Sequence, residues 1–258
     1  MADRIRISRR KEYREKLYLY LNLTKRLNAK LKKFFRKYAR KASTRYKQGI
    51  FLENIFILEY TDELYKILAN HYRVVIEINA ERLISQRYKQ TDQEIDTIIA
   101  EYIAIHTATE VTYITDTTLK KLKKTIEAGL ANGDSIEDIS RDIQKSNAFS
   151  TTRATLIART ETHSAMNEGN MAITKTLALS NPVKEWNNAM DERSRYWHKD
   201  MDGVVIPIDE DFVVLTPTKY GAVERLMKYA GDNRGGAINV CNCRCFSTYY
   251  DESDEIIT

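Results

Sequence analysis

Apolar residues recur at three- and four-residue steps over most of the first two thirds of the chain. Between positions 12 and 47 the series Tyr13, Leu17, Tyr20, Leu23, Leu27, Leu31, Phe34, Tyr38 and Ala42 stays on one face of a helix. The pattern predicts one uninterrupted helix, roughly 50 Å long at 1.5 Å per residue. Gly49 is its expected stop. A second helix is expected over 51–90, carrying Ile55, Leu58, Tyr65, Leu68, Tyr72, Val75 and Leu83. The two would form an antiparallel hairpin. A third, over 93–110, places Ile95, Ile98, Ile99, Tyr102 and Ile103 on its apolar side.

From Asp116 the expected segments shorten. Asp116 or Thr117 can cap a helix with Leu119, Leu122 and Ile126, ended by Gly129 or Gly133. Ser135, followed three residues later by Asp138, is a loose capping box opening a helix with Ile136, Ile139 and Ile143. Ser150 can cap the next helix, running through Ile157, Met166 and Ile173 to about Leu179, where Ser180-Asn181-Pro182 stops it.

Beyond Pro182 the helical period is lost. Val183 to Trp186 predicts a short strand, and Asp191 to His198 a polar loop or short helix. Val204-Val205-Ile206 and Phe212-Val213-Val214-Leu215 are β-branched runs. Asp232 to Gly236 predicts a turn, Cys241 to Tyr250 a last strand, and Asp251 to Glu255 a frayed acidic tail. The fold class is therefore α+β. A basic, elongated helical arm (1–112) precedes a region that is helical and then small and mixed (113–250), with a tail at 251–258.

Composition agrees with this picture. Nine Gly and three Pro are too few for a mainly β chain with many tight turns, and 43% hydrophobic residues suffice for a core. Three cysteines within five residues do not make a secreted disulfide framework. Neither a signal-like start nor an apolar run near about 20 residues is present, so a reducing cytoplasm without membrane insertion is the expected setting.

Charge changes the picture. Residues 1–47 hold 18 Lys+Arg against 3 Asp+Glu, whereas the remainder holds 23 against 33. Lys25, Arg26, Lys32, Lys33, Arg36, Lys37, Arg40 and Lys41 occupy much of the polar face of the first helix. Four readings compete: a solvated face of a packed helix, binding to nucleic-acid phosphates, attachment to a membrane surface, and an acidic protein partner.

All three cysteines and both tryptophans lie between Pro182 and Cys245. His198, Cys243 and Cys245 are of the residue types that hold zinc. On a regular strand, same-face sulfurs would sit about 6.5–7 Å apart. One zinc at about 2.3 Å from each sulfur allows at most about 4.6 Å. A shared ion therefore needs a kink. Buried cysteines used as small hydrophobes, or a disulfide, are the competing readings. Asp191, Arg193, Arg195 and His198 are the types of a phosphoryl-transfer site, or of a hydrogen-bonded polar knot in which Asp191 accepts from arginine. His71 and His106 read as packed or surface histidines. Arg159 and Glu161 are two apart on a helix, so each should reach a different neighbour.

One ordered set carries a resemblance: Ala158-Arg159-Thr160-Glu161, Lys184-x-Trp186, Asp191-x-Arg193-x-Arg195-x-x-His198, Gly203, Phe212 and Asn242-Cys243-Arg244-Cys245. It resembles the Mu F-like family of phage minor head (head morphogenesis) proteins over roughly residues 115–250. Cys241, and a loop from Lys219 to Gly236 that is not Pro-rich, depart from the family pattern. The resemblance implies a virion protein carried inside the capsid and associated with the portal. Its implied partners are the portal protein, other capsid and scaffold proteins and double-stranded DNA. The alternative is a metal-dependent enzyme acting on nucleic acid through the His/Cys region.

Overall fold

The structure is a computed structural model that describes residues 2–50, 54–87, 92–177 and 179–252. Helix α1 runs Ala2–Lys47, starting earlier than the apolar period indicates. Gly49 takes a left-handed conformation (φ 73°), and its N–H returns to the carbonyl of Tyr46 at 3.0 Å, which ends the helix as expected. Helix α2 is Asn54–Arg87. Its buried row is Phe56, Tyr60, Leu64, Leu68, Tyr72, Ile76 and Ala80, at strict four-residue steps, with Val75 beside it. This corrects the face read from sequence. Leu58 is 65% exposed and Tyr65 39% exposed, because that reading mixed residues from two sides of the helix. The side chains of Ile55 and Leu83 lie outside the described residues.

Helix α3 (Asp92–Tyr102) passes through a π-helical turn, Ile103–Thr107, directly into α4 (Ala108–Asn132). No helix starts at Asp116 or Thr117. The hydroxyls of Thr115 and Thr118 instead donate to the carbonyls of Val111 and Ile114, both at 2.7 Å, inside the continuous helix. Gly133 is the stop (φ 73°). Gly129 is buried within the helix, where a Cβ would come 2.5 Å from Cγ1 of Ile139. Helix α5 (Ile136–Lys145) starts on Ser135, whose hydroxyl accepts from the N–H of Asp138 at 3.2 Å. Helix α6 (Thr151–Thr176) starts on Ser150, which accepts from the N–H of Arg153 at 3.2 Å.

The β-rich end comprises β1 (Pro182–Asn187), α7 (Tyr196–Lys199), β2 (Val205–Pro207), β3 (Phe212–Thr218), β4 (Gly221–Met227), α8 (Ala237–Val240) and β5 (Phe246–Asp251). One antiparallel sheet has the order β2-β1-β5, and β3-β4 form a separate hairpin. Strand β4 has no counterpart in the sequence reading. Its residues are exposed up to Met227, so no buried alternation marks it. The last strand begins at Phe246 rather than Cys241. Asp251 is not frayed. It is 5% exposed and accepts from the N–H groups of Ser180 (2.6 Å) and Asn181 (3.1 Å). Residues 253–258 of the acidic tail lie outside the described residues.

The chain separates into two compact units. One comprises Thr24–Arg73 and Ala100–Ala158. Its core stacks Phe34, Tyr38 and Tyr60, with ring centroids 4.7 to 5.0 Å apart. Arg153 lies 5.3 Å from the centre of the Phe35 ring and donates to Thr118, Ala148 and Ile114 at 2.6 to 2.8 Å. His71, buried here, is held by burial as a neutral ring, with its pKa lowered to about 3. The other unit comprises Met1–Leu23, Val74–Ile99 and Arg159–Thr258. Its core gathers Trp186, Met201, Phe212, Val214, Met227, Ala230, Cys243 and Cys245.

Candidate functional site

In the second of these units His198, Cys243 and Cys245 converge. Their ligand-type atoms all lie within 4.8 Å of one another, and the three residues are 1%, 2% and 3% exposed. Helix α7 carries His198 inward. Cys243 and Cys245 lie ahead of β5, which begins at Phe246, and not on a strand; Asn242 adopts φ 57°, a left-handed conformation that asparagine tolerates better than most residues, and turns the chain between Cys241 and Cys243. The expectation that Cys241 to Cys245 share one strand face is therefore corrected. Cys241 is partly exposed and its thiol lies outside the group, while its carbonyl accepts from Arg195 Nη2 at 2.6 Å.

The surroundings orient the group. Asn239 donates through Nδ2 to Thr216 Oγ1 (2.8 Å) and to the carbonyl of Gly235 (2.9 Å). Its Oδ1 is thereby left as an acceptor, 2.8 Å from the Trp197 indole nitrogen and 3.1 Å from His198 Nε2. His198 then carries its proton on Nε2 and turns the Nδ1 lone pair toward Cys245 (3.5 Å) and Cys243 (3.6 Å). Asn188 Nδ2 donates to Cys245 Sγ at 3.3 Å. The hydrogen bond from Cys245 pulls the Cys243 thiol well below its usual range, whereas burial pushes the Cys245 thiol up.

The polar residues around this core are largely bound to protein partners. Asp191 is gripped at both oxygens by Arg244, each contact 2.5 Å. That hydrogen-bonded pair holds its carboxyl down at about 2. The arginine expected to bind Asp191 is thus Arg244, not Arg193 or Arg195. Arg193 is exposed and only its backbone N–H reaches Asp191, at 3.1 Å. Gly203, at φ 83°, donates to the Trp186 carbonyl at 2.8 Å, and Trp186 is fully buried. Arg159 reaches Asn242 Oδ1 at 3.5 Å, while Glu161 is buried on the same helix. Sequence reasoning missed Asn188, Asn239 and Lys16. The Lys16 ammonium is buried on α1 and donates to the carbonyl of Ser247 (3.0 Å) and to Thr248 Oγ1 (3.3 Å). An amphipathic helix gives no signal of such a lysine. The strand expected over Cys241 to Tyr250 runs across Asn242, although asparagine is the residue type that tolerates a left-handed turn.

The basic face lies in the other unit. Lys25, Arg26, Lys33, Arg36, Lys37 and Arg40 are exposed, and Lys32 and Lys41 are partly so. Lys37 and Lys41 pair with Glu63 and Glu59 of α2, which lowers the free charge of the face. The remaining cations run along about 22 Å of helix.

Long helices together with a small antiparallel sheet and a Trp/His/Cys core make this an α+β protein. Residues 120–248 match the family model "Phage Mu protein F like protein", and the chain belongs to that family. It is 32% identical over 132 residues to the minor head protein GP7 of Bacillus phage SPP1, covering 51% of this chain and 40% of that protein. It is 29% identical over 133 residues to the NAD(+)–arginine ADP-ribosyltransferase EFV of Enterococcus faecalis, covering 50% of this chain and 25% of that protein. The chain thus spans well under half the length of either relative. No solved structure matches it.

Proposed function

We propose that this protein is a minor head protein of a tailed phage. It associates with the portal vertex inside the procapsid, meets other capsid and scaffold proteins there, and touches packaged double-stranded DNA through the exposed face of α1. Its place is the capsid interior, reached from the host cytoplasm during assembly. Family membership, together with the likeness to GP7, carries the head role. The DNA contact rests on the stripe of exposed cations, of which Lys25, Arg26, Lys33, Arg36 and Arg40 have no ion-pair partner among the described residues.

Such a face neutralises phosphates without reading bases, so log K for linear double-stranded DNA should fall linearly with log salt. Replacing Lys33, Arg36 and Arg40 together with Gln should make that slope shallower by about 2 to 3 units. Wild-type protein that fails to retard DNA even at low salt would remove the DNA contact. The head role has its own check, mass spectrometry of purified heads. The protein should be found in them at few copies, and its absence from every particle would refute the assignment.

The enzyme alternative has less behind it. Asp191, Arg195 and His198 are each bound to a protein partner, and His198 is 1% exposed. That is the arrangement of a knot that shapes a surface rather than of groups open to a substrate.

A further inference from the structure

We propose that His198 Nδ1, Cys243 Sγ and Cys245 Sγ are ligands of a structural zinc ion, which ties helix α7 to the segment entering β5. This inference stands independently of the head role.

Three acceptor atoms converge on one buried point. The hydrogen bonds of Asn239 leave His198 with its lone pair on Nδ1, and that lone pair faces both sulfurs at nearly equal distance, 3.5 and 3.6 Å. A cation at the centre satisfies both sulfurs. With zinc bonds of about 2.3 Å to sulfur and about 2.0–2.1 Å to nitrogen, a tetrahedral centre requires N···S edges of about 3.6 Å. The observed edges agree.

The sulfurs are also surrounded as metal-bound thiolates are, by N–H donors. Asn188 Nδ2 reaches Cys245 Sγ at 3.3 Å, and the backbone N–H of Cys245 reaches Cys243 Sγ at 3.5 Å. The amide orientation of Asn188 is fixed, because its Oδ1 accepts from the N–H of Met190 at 2.6 Å. On the far side of His198, the hydrogen bond to Asn239 completes the second shell usual for a metal-bound imidazole. Cys243 and Cys245 precede β5 and are not held at strand spacing, and the left-handed turn at Asn242 directs Cys241 away from the group.

Charge balance favours a divalent ion. Zn²⁺ displaces one proton from each thiol, so two thiols and Zn²⁺ become a neutral zinc dithiolate and two protons leave to solvent. A neutral centre suits a place where the ligands are almost wholly buried. One imidazole and two thiolates form a soft donor set that selects zinc over magnesium or calcium. Among the described residues no fourth His, Cys, Asp or Glu atom joins the group. The fourth position falls to a solvent oxygen. The fully buried indole of Trp186 packs edge-on against the His198 ring at 5.4 Å and bounds that side of the group.

The test uses the full chain carrying Cys241→Ser, which leaves the two proposed ligand thiols as its only cysteines. Purified under reductant without chelator, it should hold one zinc per chain by elemental mass spectrometry. A mercurial that blocks both thiols should release that zinc in a ratio of one to two. Exchange with cobalt(II) should give thiolate-to-cobalt charge-transfer absorption and the intense ligand-field bands of a tetrahedral site. Cys243→Ser and Cys245→Ser should each lose most of the metal. Should either variant fail to fold, the release ratio and the cobalt spectrum still decide. The proposal is overturned if the reduced, zinc-loaded and dialysed Cys241→Ser protein retains no metal and shows no charge transfer. It is equally overturned if mass spectrometry finds a Cys243–Cys245 disulfide and no zinc in freshly isolated protein.

Discussion

Replacing Gly231 with alanine is expected to destabilise the protein by about 3 kcal/mol, read as a lower urea midpoint at unchanged slope. Two independent costs add. Gly231 sits at φ 92°, where an L side chain is strained by about 1–2 kcal/mol. A Cβ there would also come 2.4 Å from Nδ1 and 2.6 Å from Cε1 of His163. His163 is fully buried and cannot easily step aside. Its Nε2 lies 2.5 Å from the carbonyl oxygen of Cys245, and its ring packs against Phe246 at 5.7 Å and Tyr20 at 6.2 Å. Overpacking against such a ring costs about 1–3 kcal/mol. Gly133→Ala is the control. That position has a similar left-handed backbone (φ 73°) but nothing within 4 Å of the added methyl, so only the strain should appear. Equal losses in the two variants would show that His163 yields, and would refute the steric argument.

Lys184→Met should move stability the other way, by about 2 kcal/mol at pH 7. Lys184 lies on β1, the central strand of its sheet, opposite Ile206 and Tyr249. Its side chain is fully buried, and Nζ has no hydrogen-bond partner among the described residues. The face of Phe212, 5.3 Å away, is a weak substitute for water. Burial lowers its pKa to about 8, with Asp211 opposing that shift. The folded pKa is therefore below the unfolded one, so the penalty is fully present below about pH 8. Between there and about pH 10.4 the unfolded chain binds more protons, and stability should rise with pH across that window. Methionine, of similar length and without charge, removes both the penalty and that part of the slope. Comparing the two proteins from pH 7 to 10.5 by chemical denaturation isolates this lysine from every group the two proteins share. A clear loss of stability in Lys184→Met at pH 7 would mean that the ammonium is well satisfied where it lies.

How much was legible varies with the range of the interaction. Ser135, Ser150, Gly49 and Gly133 mark helix ends, because a cap needs only the residues within one turn of it. The buried side of α1 follows from its apolar period for the same reason. Helix α2 misled because tyrosines and leucines lie on both of its sides, and only the packing partner selects Phe56, Tyr60 and Leu64 over Leu58 and Tyr65. Strand β4 was invisible because an exposed hairpin strand buries too little to impose an alternation. Thr115 and Thr118 show the limit of reading caps from composition. A hydroxyl able to open a helix can equally bond back within one.

The sequence by itself determined the α+β class, the cationic helix, the four helix ends at Gly49, Gly133, Ser135 and Ser150 and the set of residue types at the Trp/His/Cys end, all of which depend on neighbours a few positions away. Only the tertiary structure decided which arginine holds Asp191, which nitrogen of His198 faces the thiols, and that Cys243 and Cys245 meet while Cys241 turns away. Arg244 is 53 residues from Asp191 and Asn239 is 41 from His198. Contacts at that range are selected by burial and by the need to satisfy every buried polar atom, and no local spacing encodes them.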